Sequence, residues 1–322
     1  MTQMNFSSMA RNTRGAGLSD CEDQVDMRRL RGYRLGRVQE QLKQRDLGAI
    51  VLHDPINIRY ATGSRNMTVW VLHNASRCAF VPAEGKAVIF EFPRCEHLND
   101  GLETIAEVRP AIAWYYFGAG DTVDSKANAW AQAMADLVDE HCGGNQRIAL
   151  DHGNFQGTHA LEGLGLELHD GQEVMEQARV IKSADEITCM NHAISVCEAG
   201  MARMREALRP GMTENELWAL LHETNIAMGG EWIETRLLAS GQRTNPWFHE
   251  CGDKVIRAGE LVAFDTDLIG PYGYCADISR SWLCGDGKAS DEQRLIYNLA
   301  LEQIDHNRNL VRPGTSFREI SE

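Results

Sequence analysis

What the 322 residues lack narrows the reading first. No stretch approaches the roughly 18 consecutive apolar residues of a spanning helix, which argues against one. The opening, MTQMNFSSMARNTRGAGLSD, has no apolar core of the kind secretory signals carry. It reads as a polar, Gly/Ser/Asn-rich arm over residues 1–27. Basic residues are in deficit, 32 against 46 acidic ones, giving a net charge of −14. With no local basic patch, such a chain repels a phosphate backbone, so nucleic acid is not an expected partner. No two of the nine cysteines form a CxxC pair, which argues against zinc ribbons and thioredoxin-type sites. They read as reduced core thiols of a cytoplasmic protein. HExxH spacing, a GxGxxG after a strand, a P-loop lysine motif and a GxSxG elbow are missing too.

What is present is ordinary globular material. The chain is 43% apolar and 24% charged, enough to bury the cores of two domains. Residues 28–46 place Leu35, Val38 and Leu42 at helical spacing. AIVLH (49–53) reads as a buried strand and DPINIRYATG as a loop. CAFVPA and KAVIFEF read as two strands joined by a turn at Glu84-Gly85. EVRPAIAWYYF is a further strand candidate, and 125–141 a helix carrying Trp130, Met134, Leu137 and Val138. CGGN ends that helix, and RIALDHG opens another strand. This alternation predicts an α/β domain with a mixed sheet over residues 28–177.

The pattern changes near 178–185. Ser183 and Glu186 form a capping box, as do Thr213 and Glu216, and Arg209-Pro210-Gly211 separates the two helices they start. The second helix ends near Gly229-Gly230, and strand-like tracts follow: TRLLASG, LVAFDTDL and YCADISRSWL. A second domain over 178–322 therefore opens with two helices and becomes sheet. ALRPGMTENELW (207–218) is repeated in LVRPGTSFREIS (310–321), where Ser316 and Glu319 again form a capping box. One helical turn cannot sustain itself alone, so a start at 316–319 leads one to expect a helix, and hence chain, beyond Glu322.

The chemistry concentrates in one tract, Phe264-Asp265-Thr266-Asp267-Leu268-Ile269-Gly270-Pro271-Tyr272-Gly273-Tyr274-Cys275-Ala276-Asp277-Ile278-Ser279-Arg280. Strand alternation puts Asp265 and Asp267 on one face. A turn centred on Tyr272 sets Asp277 opposite Asp267, with Cβ atoms about 5 Å apart. Three carboxylates so placed repel one another, and either one keeps a proton or a divalent cation neutralises them. The competing reading pairs the aspartates with Arg280 and Arg257. The apolar LVAF run before them favours a metal, because acids in a buried strand need a reason. His249, beside Trp247 and Phe248, reads by itself as a hydrogen-bonded structural residue.

Taken together these tracts resemble the creatinase/aminopeptidase P group, the pita-bread metalloenzymes of peptidase family M24. AIVLHDPINIRYATG resembles the N-terminal creatinase-like domain, VIKSADEI the entry to the catalytic domain and RPGMTENEL its helix pair. GELVAFDTDLIGPYGYCADISRSW resembles the first metal-ligand hairpin. The resemblance implies an α/β (α+β) chain, a creatinase-like domain followed by a pita-bread catalytic domain. It also implies one or two divalent ions (Mn, Fe or Zn), a small-molecule or short-peptide substrate, and a homodimer. Asp277 matches the family's second aspartate. Reading forward from GELVAF places the first at Asp265, whereas the usual spacing counted back from Asp277 lands on Thr266, so Asp265 and Asp267 are both candidate ligands. The family's ligand histidine and two ligand glutamates have no match before Glu322, since His306 sits in a helix. The expectation is a catalytic domain whose C-terminal part is absent, and a 322-residue chain of weak or no activity.

His249 falls near the substrate-binding histidine of the family's peptidases. The Asp-Thr-Asp form and GGEWIETRLLASGQRTNPWF instead resemble dimethylsulfoniopropionate lyases of this fold, which carry glutamine at the histidine position. On that difference the leading expectation is a metal-dependent hydrolase of the Xaa-Pro peptidase type. Dimethylsulfoniopropionate lyase and a non-catalytic binding protein of the same fold are the alternatives.

Overall fold

The computed structural model of the protein describes residues 25–321. Most of the stretch read as an N-terminal arm therefore lies outside the described residues. Its last residues are structured: Asp26 caps helix α1 (Met27–Gln44) by accepting the Arg29 N–H at 3.0 Å. The chain divides into two compact units, Met1–Thr188 and Cys189–Glu322, where the sequence reading placed the change near 178–185.

Unit 1 is built on six strands: β1 (Ala49–Leu52), β2 (Cys78–Pro82), β3 (Ala87–Glu91), β4 (Ile105–Pro110), β5 (Arg147–Leu150) and β6 (Glu167–Asp170). Their order is β4-β3-β2-β1-β5-β6. β1 runs antiparallel to β2 and parallel to β5, so the sheet is mixed. β1 is buried throughout because both faces are covered. Ile50, Leu52, Val81 and Ile89 pack with Leu35, Val38 and Leu42 of α1 on one face. Val51, Phe80, Val88 and Phe90 meet Trp130, Met134 and Leu137 of the long helix Val123–His141 on the other.

Three expectations need correction here. DPINIRYATG is not a loop but contains helix Pro55–Thr62. Asp54 accepts the Ile56 and Asn57 N–H groups, Pro55 sits at the first helical position, and Gly63 closes the helix at φ 83°. The strand in EVRPAIAWYYF stops at Pro110, and Tyr116–Ala119 is a single helical turn. The third is an addition: helices α5 (Phe155–Gly163) and α6 (Gly171–Arg179), with β6 between them, join α2 (Pro55–Thr62), α3 (Thr68–His73) and α4 (Val123–His141) in unit 1.

In unit 2, helix α7 (Ala184–Ala207) begins at the predicted box: Glu186 N–H donates to Ser183 Oγ at 3.2 Å and Ser183 N–H to Glu186 at 2.7 Å. Thr213 and Glu216 cap helix α8 (Glu214–Ala227) in the same way. Two three-stranded sheets follow, β8 (Leu238–Ser240), β9 (Leu261–Phe264) and β12 (Arg280–Leu283), then β7 (Trp232–Ile233), β10 (Leu268–Ile269) and β11 (Cys275–Ala276). One core holds Cys197, Met201, Leu217, Trp218, Leu221, Leu238, Val262, Phe264, Leu268 and Trp282. Helix Asp291–Leu310 is capped by Ser290 and Gln293, and Ser316 caps Phe317–Ser321 with Glu319. No helix among the described residues is long and apolar enough to cross a membrane.

Candidate metal centre

The aspartate tract is a hairpin, but not a continuous one. β9 ends at Phe264 and β10 starts at Leu268, while β11 ends at Ala276 and β12 starts at Arg280. The inner part pairs with β7 and the outer part with β8, so the chain changes sheets within the tract on both sides. Asp265 and Asp267 therefore do not lie on one regular strand as expected. Asp267 takes φ 35°, a left-handed conformation that Asp tolerates better than most residues and that re-aims the chain.

The register nevertheless holds through the break. Phe264 pairs with Arg280 and Leu268 with Ala276, which sets Asp267 opposite Asp277 and Asp265 opposite Ser279. Ser279 Oγ donates to Asp265 at 2.8 Å. Tyr272 sits in the turn with φ 62°. The turn is tied to α7 at Gly270, where an added Cβ would stand 2.7 Å from the Ala193 Cβ.

One donor oxygen from each of Asp265, Asp267 and Asp277 lies within 4.8 Å of the others. Asp265 and Asp267 are half-buried and Asp277 is exposed. A hydrogen bond to Asp265, then partial burial, then the charges of Asp265 and Asp267 raise the Asp277 carboxyl to about 6. Thr235 donates to Asp267 at 2.7 Å. The competing ion pairs are not formed: Arg280 donates to the Ser279 carbonyl and Arg257 lies 3.7 Å from Glu260. A set of hard oxygen donors whose mutual repulsion raises one of its carboxyls fits a divalent cation, which would relieve that repulsion.

Thr266, where the family spacing lands, faces away from the carboxylates. It is fully buried, accepts the Ile278 N–H at 2.9 Å and receives the Cys197 thiol at 3.4 Å.

His249 is not a member of the three-carboxylate group. Its Nδ1 lies 2.7 Å from the Arg243 carbonyl, which can only accept. Nδ1 therefore carries a proton, and Nε2 is the ring nitrogen left outside that bond. The loop bearing it hangs on Glu214, a residue the sequence reading passed over. Glu214 is fully buried and takes the Ser240 N–H and hydroxyl, both at 2.8 Å, the Gly252 N–H at 3.2 Å, and the Arg243 guanidinium. An acid in the first turn of a helix looks like favourable dipole chemistry. Only the folding back of 240–252 turns it into an anchor.

Residues 34–181 match the creatinase/prolidase N-terminal domain and residues 188–322 the metallopeptidase family M24. A dimethylsulfoniopropionate lyase, DddP of Roseovarius nubinhibens, is 43% identical over 100% of this chain and 71% of its own length. The Xaa-Pro aminopeptidase of Escherichia coli is 30% identical over 47% of this chain and 34% of its own. The prolidase structure from Pyrococcus horikoshii superposes with a TM-score of 0.68 at 18% identity, covering 89% of this chain and 74% of that one. With both domain matches and a relative of this identity along its whole length, the chain belongs to the M24 metallopeptidase family, with its creatinase/prolidase N-terminal domain.

Proposed function

We propose that this protein is a metal-dependent lyase that cleaves dimethylsulfoniopropionate to dimethyl sulfide and acrylate. One observation carries the reading: identity to the Roseovarius lyase runs at 43% through the entire chain, whereas the likeness to the aminopeptidase is 30% over less than half of it. That contrast reverses the order drawn from the sequence, where hydrolysis stood first on the strength of His249.

In this reading Asp265, Asp267 and Asp277 hold one or two divalent ions. Bound there, a divalent cation would offset most of the negative charge of the three carboxylates and would offer a Lewis-acid site to the substrate carboxylate. The reaction passes a proton from the carbon next to that carboxylate to a general base, forms the C=C bond from the C–H electron pair, and breaks the C–S bond with its electron pair leaving on sulfur, so that dimethyl sulfide, acrylate and the base-held proton account for every atom. No water is consumed. Asp277 would complete the carboxylate set around the cation, Thr235 steadies Asp267, and His249 turns Nε2, the ring nitrogen not bonded to the Arg243 carbonyl, to the substrate.

Hydrolysis of Xaa-Pro peptides is the second reading, and His249 favours it. The test is headspace analysis of the gene product, supplied with Mn, Fe or Zn and dimethylsulfoniopropionate, beside an assay for release of the N-terminal residue from Xaa-Pro peptides. Dimethyl sulfide production that Asp267→Asn and Asp277→Asn both abolish is the expected result. Peptide cleavage without dimethyl sulfide would overturn the lyase reading in favour of the second, and metal loading with neither product would overturn both.

A further inference from the structure

Neither ring nitrogen of His53 has a well-formed hydrogen bond, although the His152 backbone lies against the ring, and His53 is 5% exposed. It lies directly after β1 and lines a cleft of about 170 Å³ in unit 1. Trp114 and Trp130 form the aromatic wall, with ring centroids 4.4 Å apart, and His53 meets them at 5.7 and 5.4 Å. Ala75, Leu150, Gly153, Asn154, Thr158 and the exposed His152, which lies 3.7 Å from Asp54, complete it. Gly157 is required there, because a Cβ would stand 2.9 Å from Trp114 and 3.2 Å from Trp130.

The position is one that α/β sheets reserve for ligands. β1 and β5 are parallel neighbours, and the cleft opens past the carboxyl end of both, at His53 and at 152–154. In the sheet order β2 flanks β1 on one side and β6 flanks β5 on the other, so the chain leaves the two strands in opposite directions. That divergence opens a crevice outside the carboxyl ends of the strands.

We propose that this cleft is a binding site for an uncharged, ring-sized organic molecule carrying one hydrogen-bonding group. Size is the first ground, since an apolar cavity of about 150 Å³ takes benzene. The aromatic wall is the second, because it offers a flat ring both area and edge-to-face contacts. Charge is the third. Burial holds the His53 imidazole in its neutral form, lowered to about 4. The neighbouring charges are already paired: Arg77, whose Nε and Nη1 stay without hydrogen bonds, with Glu91 at 2.6 Å, and Asp151 with the N–H groups of His53, Asp54, His152 and Asn57. An ion entering would lose its hydration and find no free counter-charge. A hydroxyl or ring nitrogen on the guest would give the His53 ring a better-aligned partner than the His152 backbone provides.

Phenol, with benzoate as its charged counterpart, tests this on the full chain labelled with ¹⁵N at its seven tryptophans. The indole N–H signals of Trp114 and Trp130 should shift saturably with phenol, with half-saturation on the order of 1 mM. They should stay still with benzoate. Ala75→Leu fills the half-buried rim and should weaken phenol by at least about tenfold. Thr158→Leu replaces it if the first variant loses its dispersed spectrum. A cleft that holds water only would leave both signals unmoved by phenol, and that result overturns the proposal. Phenol shifts that survive the filling variants, or an equal response to benzoate, would overturn it as well.

Discussion

Asp277 is hydrogen-bonded to Asp265 across the hairpin, and two carboxyl groups can share such a bond only while one keeps its proton. The proton is the apo protein's answer to three acids crowded within 4.8 Å, and it sets a pH dependence whose sign is fixed. Asp277 is raised to about 6 from an ordinary 3.8, so the folded state binds this proton more tightly than the unfolded one. Its contribution to stability is complete below about 3.8 and is lost as pH rises through about 6.

Thermal midpoints of the metal-free protein, followed in EDTA from pH 4 to 7.5, should therefore fall more steeply in the wild type than in Asp277→Asn, which cannot ionise. A divalent metal should raise the wild-type midpoint, and more so at pH 7.5 than at pH 5, because the cation competes with the proton. Parallel pH profiles for the two proteins would show that the carboxyls do not interact as described.

Glu214 leads to a second expectation. It is fully buried and holds four donors from the segment that carries His249. Glu214→Ala leaves the Ser240 and Gly252 N–H groups and the Arg243 guanidinium without their acceptor, which costs about 3–5 kcal/mol. Ser240→Ala removes two hydroxyl bonds, one to Glu214 and one from Lys254, and costs about 1–2 kcal/mol. Denaturant midpoints give both values. Hydrogen exchange in 240–252 should quicken in the milder variant while α7 stays protected; uniform quickening would make Glu214 a general core residue, not the anchor of that loop.

Much of this was legible in the sequence, and the rest was hidden for identifiable reasons. Capping boxes are local, and those at Ser183, Thr213 and Ser316 all form their bonds. The register of the hairpin was legible because Gly270 to Gly273 leave little choice of turn centre. The break at 265–267 was not, because the apolar alternation of LVAFDTDLI runs straight through it. What interrupts the strand is a change of partner, from β8 to β7, and pairing with distant strands leaves no local mark. Helix Pro55–Thr62 did have a local mark, Asp-Pro at its start and Gly63 after its end, but at 8 residues it is too short for hydrophobic periodicity to register.

His53 adds to the acid sensitivity of unit 1. Burial lowers its imidazole to about 4 from 6.5, so the unfolded chain takes up this proton first. The associated stability is fully present above about 6.5 and is lost as pH falls toward 4, amounting to about 3 kcal/mol over the interval. His53→Gln should abolish that part of the acid slope in unfolding titrations between pH 7 and 4. An unchanged slope would mean that the ring is hydrated in solution.

Thr266 separates holding the site from forming it. Its hydroxyl is the acceptor for the Ile278 N–H, one residue after Asp277, and it meets the Cys197 thiol of α7 behind the carboxylates. Thr266→Val keeps the shape but orphans a buried N–H, which costs about 1–3 kcal/mol. Thr266→Ser keeps the acceptor and loses a buried methyl, about 1 kcal/mol. If the hydroxyl fixes the separation of Asp267 and Asp277, the valine variant should bind Mn or Zn more weakly than the serine variant even where both are fully folded. Calorimetric titration with metal at a temperature well below both midpoints makes the comparison. Equal affinities would assign the spacing to the β7 and β8 pairings alone, and a serine variant weaker than the valine one would put the burden on the methyl group against the α7 core.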